Sequence, residues 1–399
     1  MTAETTAETT APPYDFNSLE VRRDPWDLWA SRRRECPVSS GQSGGVDYHF
    51  VARYDDVKTV AHNVDDFTTT EGTTIPAAPF KLLPIDEDGQ RHRDLRRVIN
   101  PLLAPQVTKE LEGWLRERAR EHVVRLAGQD VVEVCHEFST PYVKNCMLSF
   151  LGFPDEDLPR LSHWTDLIQV QAEPFPPEEL AKVGTEMVPY IFEHLARNAD
   201  PSVPRTPLAV VSQATIDGEP LTDEEKLATV MLLIVASLST TSAVLSGSLL
   251  WLADHPEERR RLRNEPDLMT TAVDEFVRYV SPVAHMGRTV TTDAEIAGCP
   301  VRAGDKVVIG YGSANRDEDE FDEPDTLLLH RHPNRHLGFG IGPHRCVGLH
   351  LAKVALRAGI SEFLAQIPEF HVADRDDITE QPMGFGRELR TVPLAIGPA

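Results

Sequence analysis

Cysteine is scarce and unpaired in this 399-residue chain. Cys36, Cys135, Cys146, Cys299 and Cys346 are odd in number, widely scattered and free of any CxxC spacing. That excludes a disulfide framework and leaves a zinc site without partner ligands. No N-terminal stretch has the pattern of a signal peptide, so the expected compartment is a reducing cytoplasm. Positive charge is also short: 40 Lys and Arg against 63 Asp and Glu leave a net charge of -23. Such a surface repels nucleic acid and anionic membrane, which excludes both as main partners. Long apolar runs are missing too. The most apolar segment, Thr222–Pro256, is broken by Ser and Thr, and its longest clean stretch, Val230–Ala236, is too short to span a bilayer. No Pro/Gly/Ser-rich linker divides the chain; the weakest point is the loop Asn198–Pro207. We therefore expect a disordered tail over 1–13, which has no apolar pattern to bury, and a single domain over 14–399.

Most of the chain has helical periodicity, with small sheets to one side. Tyr48–Val51 reads as a strand followed by a short helix from about Asp55, and Pro282–Tyr311 reads as strands punctuated by Gly298, Pro300 and Gly304. In Thr222–Pro256, Thr222 and Glu225 fit a capping box and Pro256 stops the helix, which predicts a helix through the core. Hydroxyls gather at Ser237–Ser242. Single buried Ser and Thr side chains bond back to the preceding turn, but four in a row at Ser239–Ser242 suggest a pocket on that side.

The chemistry concentrates at Phe339-Gly340-Ile341-Gly342-Pro343-His344-Arg345-Cys346-Val347-Gly348, ahead of an amphipathic helix from about Leu349 to Gln366. The glycines let backbone approach a ligand closely. Cys346 then lies near a helix N-terminus, where unpaired N–H groups favour an anionic sulfur. A phosphate loop would need a Gly-rich turn with Lys and Ser/Thr, and neither is here. This run resembles the signature of the cytochromes P450, Phe-Gly-x-Gly-x-His-x-Cys-x-Gly, at every fixed position. The resemblance implies a mainly α fold with small β-sheets, haem b (iron protoporphyrin IX, heme) and Cys346 as the axial thiolate ligand of the iron. Phe339, Gly340, Gly348 and Ala236 would then contact the haem.

The same resemblance orders the rest of the chain. Glu275 and Arg278 look like the family's ExxR pair, with Arg331 as the third member of a structural lock under the haem. His92 and Arg96 resemble the family's HxxxR and, with Arg288 and His344, would pair with the haem propionates. Arg91, Arg93, Arg96 and Arg97 form the densest basic cluster of an acidic chain and would steer an acidic redox partner. The stretch Ala236-Ser237-Leu238-Ser239-Thr240-Thr241 stands where the family has Ala-Gly-x-Asp/Glu-Thr-Thr. Thr240 matches the threonine that helps to place protons at the oxygen site, but Ser239 replaces the acid and Ser237 the glycine. Serine can pass a proton on but cannot supply one as a carboxylic acid can. If proton supply limits turnover, Ser239→Asp should improve coupling.

The expected activity is that of a monooxygenase inserting one atom of O2 into a small-to-medium hydrophobic substrate. A separate ferredoxin and ferredoxin reductase would bring electrons from NAD(P)H to a cytoplasmic monomer. Two alternatives stay open: a haem-thiolate enzyme favouring peroxide, desaturation or coupling because of Ser239, and a non-catalytic haem sensor. Candidate pocket residues are Ile168, Ile234, Val283, Met286 and Phe385, within the segments Thr69–Pro79, Ile168–Phe175, Ile234–Thr241, Val283–Met286 and Met383–Phe385.

Overall fold

Asp223–Asp254 is one uninterrupted helix, about 48 Å long at 1.5 Å per residue. Its start is built as the sequence predicts: Thr222 Oγ1 accepts the Glu225 N–H (3.2 Å) and Glu225 Oε2 accepts the Thr222 N–H (2.9 Å). In the computed structural model, which describes residues 14–16, 18, 21, 24–169, 176–383 and 385–397, this helix runs through the largest apolar core. It packs against Thr140–Leu151, Met269–Val280 and Leu349–Gln366. Among the described residues it is the one helix long and apolar enough to cross a membrane, and it is mostly buried inside the protein. The expected tail over 1–13 lies outside the described residues.

The principal sheet has five strands in the order Val38–Ser43, Val46–Val51, Lys306–Ile309, Met286–Val290 and Phe67–Thr68. Only Val46–Val51 and Lys306–Ile309 run parallel, with His49 opposite Val307 and Val51 opposite Ile309. The next strand, antiparallel to Lys306–Ile309, places Arg288 opposite Val307. A smaller hairpin pairs Thr379–Met383 with Gly386–Thr391. Its tip is pinned to the main body: the Phe385 carbonyl accepts the N–H groups of Ala284 (2.9 Å) and His285 (3.2 Å). Gly386 makes that approach feasible, since a Cβ there would lie 1.8 Å from the Pro282 carbonyl oxygen.

Candidate functional site

The cysteine loop is folded back on itself before the helix Leu349–Gln366 begins. The Cys346 N–H donates to the Phe339 carbonyl (2.8 Å), and Gly342 takes a left-handed conformation (φ 72°) where a Cβ would lie 2.7 Å from the Ala61 carbonyl oxygen. Cys346 opens onto a large apolar cavity. Burial pushes the thiol up; the Gly348 N–H and the charges of Arg96 and Arg345 pull it back only in part. A bound metal cation deprotonates such a ligand outright.

Four cationic or imidazole side chains share that cavity: His92, Arg96, Arg288 and His344. The His92 and His344 rings lie 4.4 Å apart. His344 Nε2 is 2.7 Å from Asp88 Oδ1, and Asp88 Oδ2 accepts from Thr68 Oγ1 (2.7 Å) and the Thr69 N–H (2.8 Å). Burial alone would raise the Asp88 carboxyl, but these bonds bring it down to about 2. Burial, then repulsion from His344 and Arg96, lowers His92 to about 4. Within this group, His92 Nε2 and Arg288 Nε are buried and have no partner in the protein. Orphaned polar atoms beside cations in an otherwise apolar cavity fit one kind of guest: a flat, apolar body with anionic arms. With a soft sulfur in the same wall, the residues present fit the porphyrin that the resemblance implies.

Asp88, which orients His344, was not singled out from the sequence. Its signal was faint: an acid just before the His92–Arg96 helix, indistinguishable from an ordinary helix-start carboxylate.

From Ser237 onward the long helix presents one face to this cavity. Ser237, Thr240, Thr241 and Val244, at i, i+3, i+4 and i+7, all line it, as does Ala236. Thr240 Oγ1 donates to the Ala236 carbonyl (3.0 Å) and Ser237 Oγ to the Ile234 carbonyl (3.2 Å). Ser239 is a correction. It is buried on another face, away from the cavity lining. Two positions on from Ser237, the helix has turned by roughly 200°, so the two side chains cannot share a face. The run of hydroxyls therefore divides between two faces rather than facing one pocket. Ile234 and Ile168 are corrections of the same kind; Ile234 is buried in the core and Ile168 packs against it, and neither lines the cavity. Val283, Met286 and Phe385 do line it, with Phe339, Gly340 and Gly348. Of the other candidate segments, Thr73 and Thr74 contribute, while 170–175 and Gly384 lie outside the described residues.

Glu275, Arg278 and Arg331 are buried together and none lines the cavity. Glu275 accepts from Arg278 Nε and Nη2 (both 2.8 Å), Arg331 Nε (3.1 Å), Asn334 Nδ2 (3.0 Å) and the Leu328 N–H (2.9 Å). Burial would raise this carboxyl, but the bonds and charge of Arg278, with Leu328 and Arg331, hold it below its ordinary value.

Comparison with known proteins agrees with this geometry. A family profile described as Cytochrome P450 matches residues 187–388. The methyl-branched lipid omega-hydroxylase of Mycobacterium bovis is 31% identical, with 98% of each chain covered. Linalool 8-monooxygenase of Pseudomonas putida is 29% identical over 90% of this chain and 92% of its own. Among solved structures, Mycobacterium marinum cytochrome P450 CYP268A2 in complex with pseudoionone superposes with a TM-score of 0.87 at 28% identity, covering 97% of this chain and 100% of its own.

Proposed function

Because the chain belongs to the cytochrome P450 family and is a haem-thiolate monooxygenase, we propose that it hydroxylates elongated apolar molecules, of the branched-lipid or terpenoid kind. The observation that carries this is the cavity wall. Leu82, Ile99, Leu233, Val283, Met286 and Phe385 share it with few hydroxyls and, among the described residues, no carboxylate, so an apolar guest is favoured over a polar one. The names of the relatives, a lipid hydroxylase and a linalool monooxygenase, support the same class.

Bound haem supplies the oxygen-activating chemistry. The protein's part is positional. Cys346 would hold the iron, while Arg96, Arg288, His92 and His344 would neutralise the propionates. Thr240 keeps a hydroxyl on the cavity wall, tethered to the Ala236 carbonyl, where it can hold or pass a proton. The apolar wall excludes water, and Phe385 at the pinned hairpin tip limits how the substrate lies.

Arg93, Arg97 and Arg345 are exposed, and Arg96 Nη1 donates to the Arg345 carbonyl (2.9 Å), tying this basic patch to the cysteine loop. In a chain of net charge -23 this patch suits an acidic electron carrier, so we assign it to a ferredoxin served by a separate reductase. The protein would act as a cytoplasmic monomer of one domain over 14–399.

The test has two parts. The reduced, carbon-monoxide-bound protein is expected to show a thiolate-type band that Cys346→Ala removes. Isopalmitic acid and linalool are then titrated against sugars of similar size; a ferric spin-state shift with the sugars but not the apolar compounds overturns the substrate class.

A further inference from the structure

The hairpin that brings Phe385 to the cavity wall is fastened to the long helix by a carboxyl group. Glu388, on the strand Gly386–Thr391, places Oε1 3.1 Å from Ser242 Oγ. Ser242 is buried and follows directly on Thr240 and Thr241, which line the cavity. At the start of the same strand Gly386 bridges to Val283, and the Phe385 carbonyl accepts the N–H groups of Ala284 (2.9 Å) and His285 (3.2 Å). The tie to the helix and the side chain in the substrate wall are thus held on one short piece of backbone, Phe385 to Glu388.

The tie has two states. Ser242 Oγ also reaches the carbonyls of Leu238 (3.1 Å) and Ser239 (3.0 Å), and its proton serves one acceptor at a time. A neutral Glu388 donates to Ser242, which keeps its own bond to the helix. An ionised Glu388 takes the Ser242 proton away from those carbonyls and leaves a carboxylate in a buried interface. The charged and titratable groups facing Glu388 are Lys144 on Thr140–Leu151, Asp166 on Leu158–Gln169 and Cys135 on the turn Cys135–Ser139. The long helix turns Ser242 to Glu388 and Ser246 to Cys135, and Gln381 holds the register position opposite Glu388 on the partner strand. Lys144 Nζ is paired with Asp166 and donates to the Ser162 carbonyl (3.3 Å), so its charge is already answered. Burial raises the Glu388 carboxyl from 4.5 to about 7, with Ser242 and Lys144 opposing and Asp166 adding to the rise. Burial also pushes the Cys135 thiol up, which keeps it neutral over the same range.

Resting on the apolar-substrate reading above, we infer that Glu388 is a pH-sensitive tether that sets Phe385 in the substrate wall. Neutral, it holds the hairpin on the long helix; ionised, it lets the hairpin shift and weakens substrate binding. The carboxyl titrates higher when docked than in water, so docking is firmest at low pH and is lost as pH rises through 7. The Asp166 side chain is 44% exposed, and the cluster meets water there. Glu388 does not line the cavity; it acts through Phe385 and is a positioning residue.

Two readouts on the full-length, haem-loaded protein separate the tether from the substrate class. Linalool, which has no ionisable group, is titrated against the ferric protein between about pH 5.5 and pH 8, and its dissociation constant is read from the spin-state shift. In wild type, binding is expected to weaken about fivefold across that window, the worth of one ordinary hydrogen bond. Glu388→Gln keeps the shape without ionising and is expected to hold the low-pH affinity throughout. Phe385→Ala is expected to abolish the pH dependence. Hydrogen exchange of the Ala284 and His285 amides, corrected for intrinsic rate, needs no substrate. It is expected to accelerate about fivefold over the same window in wild type and to stay constant in Glu388→Gln. A flat dissociation constant or flat exchange in wild type overturns the tether, as does the same pH dependence in Glu388→Gln or in the affinity of Phe385→Ala. If Glu388→Gln does not fold, Ser242→Ala takes its place. With a donor to the carboxylate gone, the midpoint of the exchange curve must move to higher pH, and an unmoved midpoint overturns the tether. Amides that respond as expected, in a protein whose spin state linalool never shifts, uphold the tether and overturn the apolar-substrate reading.

Discussion

Arg278 Nη1 donates to the Asn315 carbonyl at 2.8 Å, and Asn315 in turn receives the Leu337 N–H on its side-chain oxygen at 2.6 Å. The buried Glu275–Arg278 pair is thereby joined to the segment that leads into Phe339 and Cys346. The lock, which does not line the cavity, is thus tied through Asn315 to the segment that leads to the sulfur.

Removing one partner from that lock strands a buried charge. Arg278→Leu leaves Glu275, fully buried, without its main counter-charge, and is expected to cost about 3–5 kcal/mol of stability. Urea unfolding checks this, and haem retention should fall with it. The folded Glu275 carboxyl lies below its ordinary 4.5. Its contribution is therefore present above that value and is lost as pH falls through the lower, folded one.

Arg288 Nε and His92 Nε2 are the orphans in the cavity wall. Arg288→Leu removes a charge-assisted partner for a propionate, which costs about 1.5–3 kcal/mol, or roughly 10–150-fold in haem affinity. Competition for haem with an apo-globin measures it. Equal affinity would show that Arg288 serves another purpose.

Glu388 makes a prediction about stability that needs no turnover. Its folded value, about 7, exceeds the ordinary 4.5, so its stabilising effect is full below pH 4.5 and disappears as pH rises through 7. Glu388→Gln, which cannot ionise, should unfold at the same urea concentration as wild type near pH 4.5 and at a higher one at pH 8. Parallel curves across that window would contradict the raised value.

Gly386→Ala places a methyl 1.8 Å from the Pro282 carbonyl oxygen, and backbone must yield. The hairpin tip would shift and carry Phe385 with it. The expected result is a loss of about 1–3 kcal/mol and a changed site of hydroxylation, read by product analysis.

The strand over Tyr48–Val51, the long helix with its capping box and the helix after Cys346 were legible because each depends on local chemistry: periodicity, caps and stops. The cysteine loop was legible for a related reason. A ligand approached by backbone imposes glycine, histidine and cysteine at fixed spacing, and spacing survives in a linear string. Which face of the long helix meets the cavity was a different matter. A segment apolar all round has no polar stripe to orient it, so Ser239 and Ile234 read as cavity residues until packing turned them away. The Asp88–His344 contact and the Glu388–Ser242 contact were invisible for a simpler reason: their partners lie 256 and 146 residues apart. The amino-acid order by itself determined the local elements and the identity of the ligand-bearing loop; only tertiary packing decided which side chains share a surface, because burial and facing direction are properties of neighbours brought together from distant parts of the chain.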